Sequence, residues 1–230
     1  MKVTFDADAW QPVVRPQLSS GDPSHAEHCR LHEAARQGAF SGFLVRTLAE
    51  VEFIKGFTRA APPADRASPS LAEAIAFGFR LLWSPSVFEP RFPVTDDITN
   101  YAFESSEDMA ARERRMFPAL LTLESRLLGK ARLKRLYRRL EARSRRRPAT
   151  LTSLLETASS EELAELAAAA RHNATDTAIA CHIGCGNDIF CTPDDGLSPP
   201  PILDPENRAY LTARFGLRFA SWAELAKLVA

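Results

Sequence analysis

The stretch His172–Asp195, HNATDTAIACHIGCGNDIFCTPDD, decides the fold, because it combines a helix, a strand and acids at the ends of both. Counted from Asp176, apolar residues fall at i+3, i+4 and i+7 (Ile179, Ala180 and Ile183), the spacing of one helical face. Asp176 therefore belongs to the buried face. Gly184 and Gly186 suit a helix stop, Ile189–Thr192 is an apolar run of strand length, and Pro193-Asp194-Asp195-Gly196 is turn chemistry. The expectation is a helix whose first turn holds an acid, followed by a strand that ends in two. Desolvating a carboxylate costs several kcal/mol, whereas a helix dipole returns about 0.3–1 and at most about 2. A metal ion or a cationic partner would close the gap; the structural alternative is a helix-start acid on a partly buried face.

Working outward, the 230 residues are 45% apolar and 25% charged, which suits one soluble domain or one domain with an insertion. No apolar run is long enough for a membrane span and no signal-peptide pattern opens the chain, so a cytoplasmic protein with reduced cysteines is expected. Net charge is zero. Affinity for a polyanion must therefore come from uneven charge.

Lys2–Asp6 (KVTFD) reads as a first strand that delivers Asp6 at its tip, with Asp8 two residues on. Ser24–Gln37 reads as a helix with Ser24 and Glu27 as a capping box. Its His25, His28, Cys29 and His32 lack a second ligand pair at zinc-finger spacing. Phe40–Val45 is a second strand and Thr47–Lys55 a helix. With Leu48 at zero on the helical wheel, Glu52 falls at about +40°, bordering the inward face, and Glu50 at about 200°, facing water. Leu71–Leu82 is helix-compatible, and Glu104–Leu128 reads as one or two helices broken at Pro118. Leu151–Arg171 is a further helix with a restart signal at Ser159-Ser160 and Glu161-Glu162, Asp204–Phe215 a helix closed by Gly216, and Leu217–Ala220 a short strand. Ser221 and Glu224 form a capping box that opens the last helix. Strands separated by helices predict an α/β fold with a parallel sheet, a single domain over 1–230 in which 58–158 is a mostly helical insertion.

Arg126–Arg147 carries eleven Lys or Arg against one acid, Glu141. Leu133, Leu136 and Leu140 keep an apolar stripe, so Arg132, Lys134, Arg135, Arg138 and Arg139 form a cationic outer face suited to RNA phosphates. The alternative is a solvated face balanced by the acidic 104–113 segment or by an acidic partner.

In an open parallel sheet, ligands bind at the carboxyl ends of the strands. Asp6, Glu52, Asp176, Asp194 and Asp195 all read to that end, and such a cluster cannot stay ionised without a cation. Oxygen ligands favour Mg²⁺ or Mn²⁺. At VTFDADAW, GFLVRTLAEVE with Glu52, and HNATDTAIACHIGCGNDIFCTPD, the sequence resembles the PIN-domain nucleases over roughly 1–57 and 160–228. The resemblance implies an α/β/α sandwich around a parallel sheet. It also implies a metal-dependent ribonuclease whose four metal-binding acids are Asp6, Glu52, Asp176 and Asp194. Asp195 and Asp8 are the reserve ligands, Asp8 standing where the family usually has Asn or Ser. Such nucleases often serve as the toxin of a toxin–antitoxin pair, held off by an antitoxin-like protein, and often form homodimers. Two other readings compete. Asp6-x-Asp8 also resembles the haloacid dehalogenase-like phosphatases, although Val45-Arg46-Thr47 and Gly186-Asn187-Asp188 fit their later motifs poorly. The other is a non-catalytic PIN-like module that binds RNA or a protein.

Overall fold

In a computed structural model that describes residues 1–57, 69–84, 87–88, 106–126, 129–144, 150–193 and 203–230, the strand Lys2–Phe5 (β1) occupies the middle of the sheet. Ser41–Val45 (β2) and then Arg80–Leu82 (β3) lie on one side of it, Ile189–Cys191 (β4) and Phe219–Ala220 (β5) on the other. The order is β3-β2-β1-β4-β5 and every pairing is parallel. The chain therefore winds outward from β1 to β3, crosses back, and continues outward from β4. The topological switch point falls between β1 and β4.

Alternation along β1 assigns its two faces. Phe5 stacks on Phe79, which meets Phe77, which in turn stacks on His32. This side is covered by Gln11–Val14 (α1), His25–Arg36 (α2) and Trp222–Leu228 (α10). Thr4 points the other way, toward Ser160–Cys185 (α8), where it accepts from Asn187 Nδ2 at 2.8 Å and meets His182 Nδ1 at 3.1 Å. Around α8 pack Leu48–Gly56 (α3), Ser106–Arg126 (α5) and Gly129–Arg143 (α6). The result is the expected three-layer α/β/α sandwich around a parallel sheet, with extra helices outside one layer.

Several sequence expectations change. The helix that carries Asp176 does not begin there: α8 starts at Ser160, capped by Ser159 and Glu162, and runs 26 residues to Gly186 in the left-handed region. Asp176 is thus mid-helix and receives nothing from the helix N-terminus. Only Leu151–Thr157 (α7) is separate. Leu71–Leu82 is not all helix: Leu71–Ala76 (α4) ends at Phe77, and Arg80–Leu82 pairs with β2 as a sheet edge. The 58–158 region therefore contributes a strand as well as helices. Pro118 does not break α5. Losing one backbone bond and straining a turn costs about 3 kcal/mol, and the buried Met116, Ala119, Leu120 and Leu123 more than offset it at roughly 1.5–3 kcal/mol for each large side chain. At α2 the capping box is absent; the Ser24 N–H donates instead to Asp22. The box at Ser221 and Glu224 does form, as does the Gly216 stop after Pro205–Phe215 (α9).

Candidate functional site

Asp6 follows β1 directly at the switch point and is 3% exposed. Its backbone N–H donates to the Cys191 carbonyl of β4 at 2.9 Å. Because Asp6 shares a face with Thr4, its carboxylate meets α8, where Thr175 donates to Oδ1 at 2.6 Å. The Ala7 N–H reaches the same oxygen at 2.6 Å, and Thr192, just past β4, donates to Oδ2 at 3.2 Å. These three donors fix the carboxylate. Burial nevertheless pushes Asp6 up to about 6, the donors pulling against it and Asp8 adding repulsion.

Asp176 is the next residue after Thr175 on α8 and is 8% exposed. It accepts no hydrogen bond among the described residues. Burial pushes it up to about 8, followed by the charges of Asp6 and Glu124. Glu124 comes from α5. That helix is held antiparallel to α8 by Met116 against Gly184 and by Arg115, whose Nε donates to the Gly184 carbonyl at 2.9 Å. Eight residues further along each helix, in opposite directions, this register brings Glu124 level with Asp176. Glu124 is ion-paired with Lys130 of α6. Nothing in the sequence marked it, since the pairing depends on how α5 docks.

The other expected acids are placed differently. Glu52 is half-buried and accepts the Leu71 N–H at 3.2 Å. Burial pushes it up to about 7, while the Leu71 bond and then Lys55 lower it and Glu73 raises it. Glu50, read as water-facing, is the buried one at 3% exposure. The whole first turn of α3 (Leu48, Ala49, Glu50 and Val51) is enclosed, so a single inward stripe misassigned the wheel. Asp194 and Asp195 lie outside the described residues. Asp8 pairs with Arg171 at 3.2 Å on the rim. Among the described residues no three His, Cys, Asp or Glu side chains gather closely enough to hold a metal ion. The histidines of α2 have structural partners: His28 meets Ser19 and the Trp222 ring, and His32 meets the Val13 carbonyl and Phe77.

On α6, Arg132, Lys134, Arg135, Arg138 and Arg139 are all exposed, as the amphipathic pattern predicts. The face is not uniformly free. Glu165 of α8 pairs with Arg132 at 3.4 Å and Arg139 at 3.0 Å, and Glu162 with Arg143 at 2.6 Å. The balancing acids thus come from the start of α8. Lys134, Arg135 and Arg138 carry no ion pair among the described residues.

No protein-family model, curated protein or solved structure matches this chain. The geometry of the site therefore carries the functional reading by itself. Among the described residues no helix is long and apolar enough to cross a membrane.

Proposed function

We propose that the chain is a divalent-metal-dependent nuclease that hydrolyses single-stranded RNA at the carboxylate pair Asp6 and Asp176. The observation that carries this reading is a pair of buried carboxylates at the sheet's switch point, raised to about 6 and about 8, with no basic side chain drawn to either among the described residues. Two adjacent carboxyls kept out of water are tolerable when one is protonated or when a cation lies between them. Asp176, buried and without a hydrogen-bond donor among the described residues, suits the second case, and an all-oxygen donor set suits Mg²⁺ or Mn²⁺. When bound, such an ion would lower the pKa of an attacking water and offset the charge that develops on the phosphoryl oxygens. The chain's part is to position: Thr175, Thr192 and the Ala7 N–H lock the Asp6 carboxylate, while α8 holds Asp176 beside it.

The test is incubation with labelled single-stranded RNA and, separately, a small phosphomonoester, each with Mg²⁺ or Mn²⁺. RNA cleavage that stops on chelation is expected, with the phosphomonoester untouched. Turnover of the phosphomonoester alone would replace this reading with a phosphatase that attacks through Asp6, and RNA binding without cleavage would leave a non-catalytic module.

In this reading Glu52, which accepts the Leu71 N–H, lies outside the reacting group. Glu52→Gln is expected to change cleavage by less than about threefold while Asp6→Asn abolishes it, since a residue outside the reacting group adds little to transition-state binding. Equal losses in the two variants would return Glu52 to the ligand set.

A further inference from the structure

A cavity of about 240 Å³ opens between α6 and α8, lined by Arg132, Arg135, Leu136, Arg139 and Glu165. Three guanidiniums face one carboxylate across it, so the cavity keeps a net positive lining. Its position on α8 gives it meaning. At about 100° per residue, Glu165, His172 and Asp176 fall within about 40° of one another, on a single face of one continuous helix. His172 stands between the two ends, close enough to Arg132 and Asp8 to feel both charges. The eleven residues from Glu165 to Asp176 rise about 16 Å. A stacked strand advances about 3.4 Å per phosphate, so about five nucleotides span that distance, and fewer if the strand is extended.

We infer that the Arg132–Arg135–Arg139 cavity is a backbone-phosphate subsite for the RNA whose scissile bond lies at Asp6 and Asp176, which makes the substrate an oligonucleotide long enough to reach both; this rests on the nuclease reading above. Planar guanidiniums suit phosphate oxygens in bidentate contacts. Arg135 offers its guanidinium without giving up an ion pair among the described residues, whereas Arg132 must exchange Glu165, and Arg139 both Glu165 and Glu162, for phosphate. Glu165 is therefore a built-in competitor, and it sets an unusual expectation: removing this acid strengthens binding.

The test measures fluorescence anisotropy of labelled oligouridylates of three and ten nucleotides, in EDTA so that no cleavage occurs. The ten-mer is expected to bind well and the three-mer weakly. Arg135→Glu should weaken the ten-mer about tenfold and lower the salt slope by about one or more, with little change for the three-mer. Glu165→Gln should tighten the ten-mer severalfold, a direction that a merely structural role for Glu165 would not give. An unaltered ten-mer affinity and slope in Arg135→Glu overturns the subsite, as does weaker binding in Glu165→Gln. A polyglutamate peptide that binds the cavity more tightly than the ten-mer also overturns it, in favour of an acidic protein partner. Because binding is read without turnover, ten-mer binding that depends on Arg135 in a chain that never cleaves RNA would sink the nuclease reading and leave the subsite standing.

Discussion

Asp176→Asn is expected to raise the melting temperature of the metal-free protein at pH 8 while eliminating metal-dependent RNA cleavage. The sign follows from linkage. Asp176 titrates at about 8 in the folded chain and near 3.8 unfolded, so between those values the folded state holds a proton that the unfolded state has lost. Stability therefore falls as pH rises from about 4 to about 8. A shift of this size corresponds to a penalty on the order of 5 kcal/mol at pH 8, at about 1.4 kcal/mol per unit. Asp6 adds a smaller penalty of the same sign between about 4 and about 6, and the two carboxyls release their protons as a pair. Asn cannot ionise and escapes the cost. Mg²⁺ at pH 8 should stabilise the parent and leave Asp176→Asn unmoved, and metal affinity in the parent should climb between pH 6 and 8 as the competing proton leaves. Thermal melts at pH 5 and pH 8, with and without Mg²⁺, read the stabilities, and the labelled-RNA assay reads the cleavage. A parent equally stable at both pH values, or a variant stabilised by Mg²⁺ as strongly as the parent, would end the assignment. Asp6→Asn is a sound companion because it can keep its place. Its amide oxygen can still accept from Ala7 and Thr175, and its NH₂ can donate to Thr192 once that hydroxyl rotates.

The sequence made some of this site legible and hid the rest for physical reasons. A short β-rich run ending in acid placed Asp6, because ligands meet a parallel sheet at the carboxyl ends of its strands. The apolar spacing after Asp176 placed it inward. Its helix start was misread because His172, Asn173 and Thr175 are indifferent helix formers, yet all three sit inside α8. Packing overrides their propensity, since from Asn173 to His182 the helix is buried on every side. Burial all round also erases the polar stripe that marks a surface helix, and the same erasure at the first turn of α3 encloses Glu50, which the wheel turned to water. β3 has only three residues. Three residues cannot display a period of two, so the edge strand was absorbed into the helix before it. Glu124 and the arginine cavity depend on contacts between segments far apart in sequence, which no local pattern encodes.

Gly184→Ala is expected to loosen α5 from α8 and lower the melting temperature by about 2–8 °C. In an isolated helix the change would be favourable by up to about 1 kcal/mol, and the position is ordinary helix. The opposing effect is contact. A Cβ at Gly184 would stand 2.8 Å from Met116 Cβ and 3.1 Å from the Arg112 carbonyl oxygen. Neither neighbour is the free end of a flexible side chain, so α5 itself must move. Overpacking of this kind costs about 1–3 kcal/mol, which exceeds the helix gain. The move also strains the Arg115 fork on the Gly184 carbonyl, where Nη2 donates at 2.6 Å and Nε at 2.9 Å. Calorimetry reads the stability. Thiol labelling reads the place, because Cys181 is buried beneath this contact with its Sγ 3.7 Å from Met116 Sδ. Its modification should accelerate when α5 lifts, while the exposed Cys29 reacts at its usual rate. Cleavage should fall as well, since displacing α5 moves Glu124 and its ion pair with Lys130 relative to Asp176. If Gly184→Ala melts with the parent and Cys181 stays protected, α5 is not seated by that glycine, and the register that brings Glu124 level with Asp176 loses its anchor.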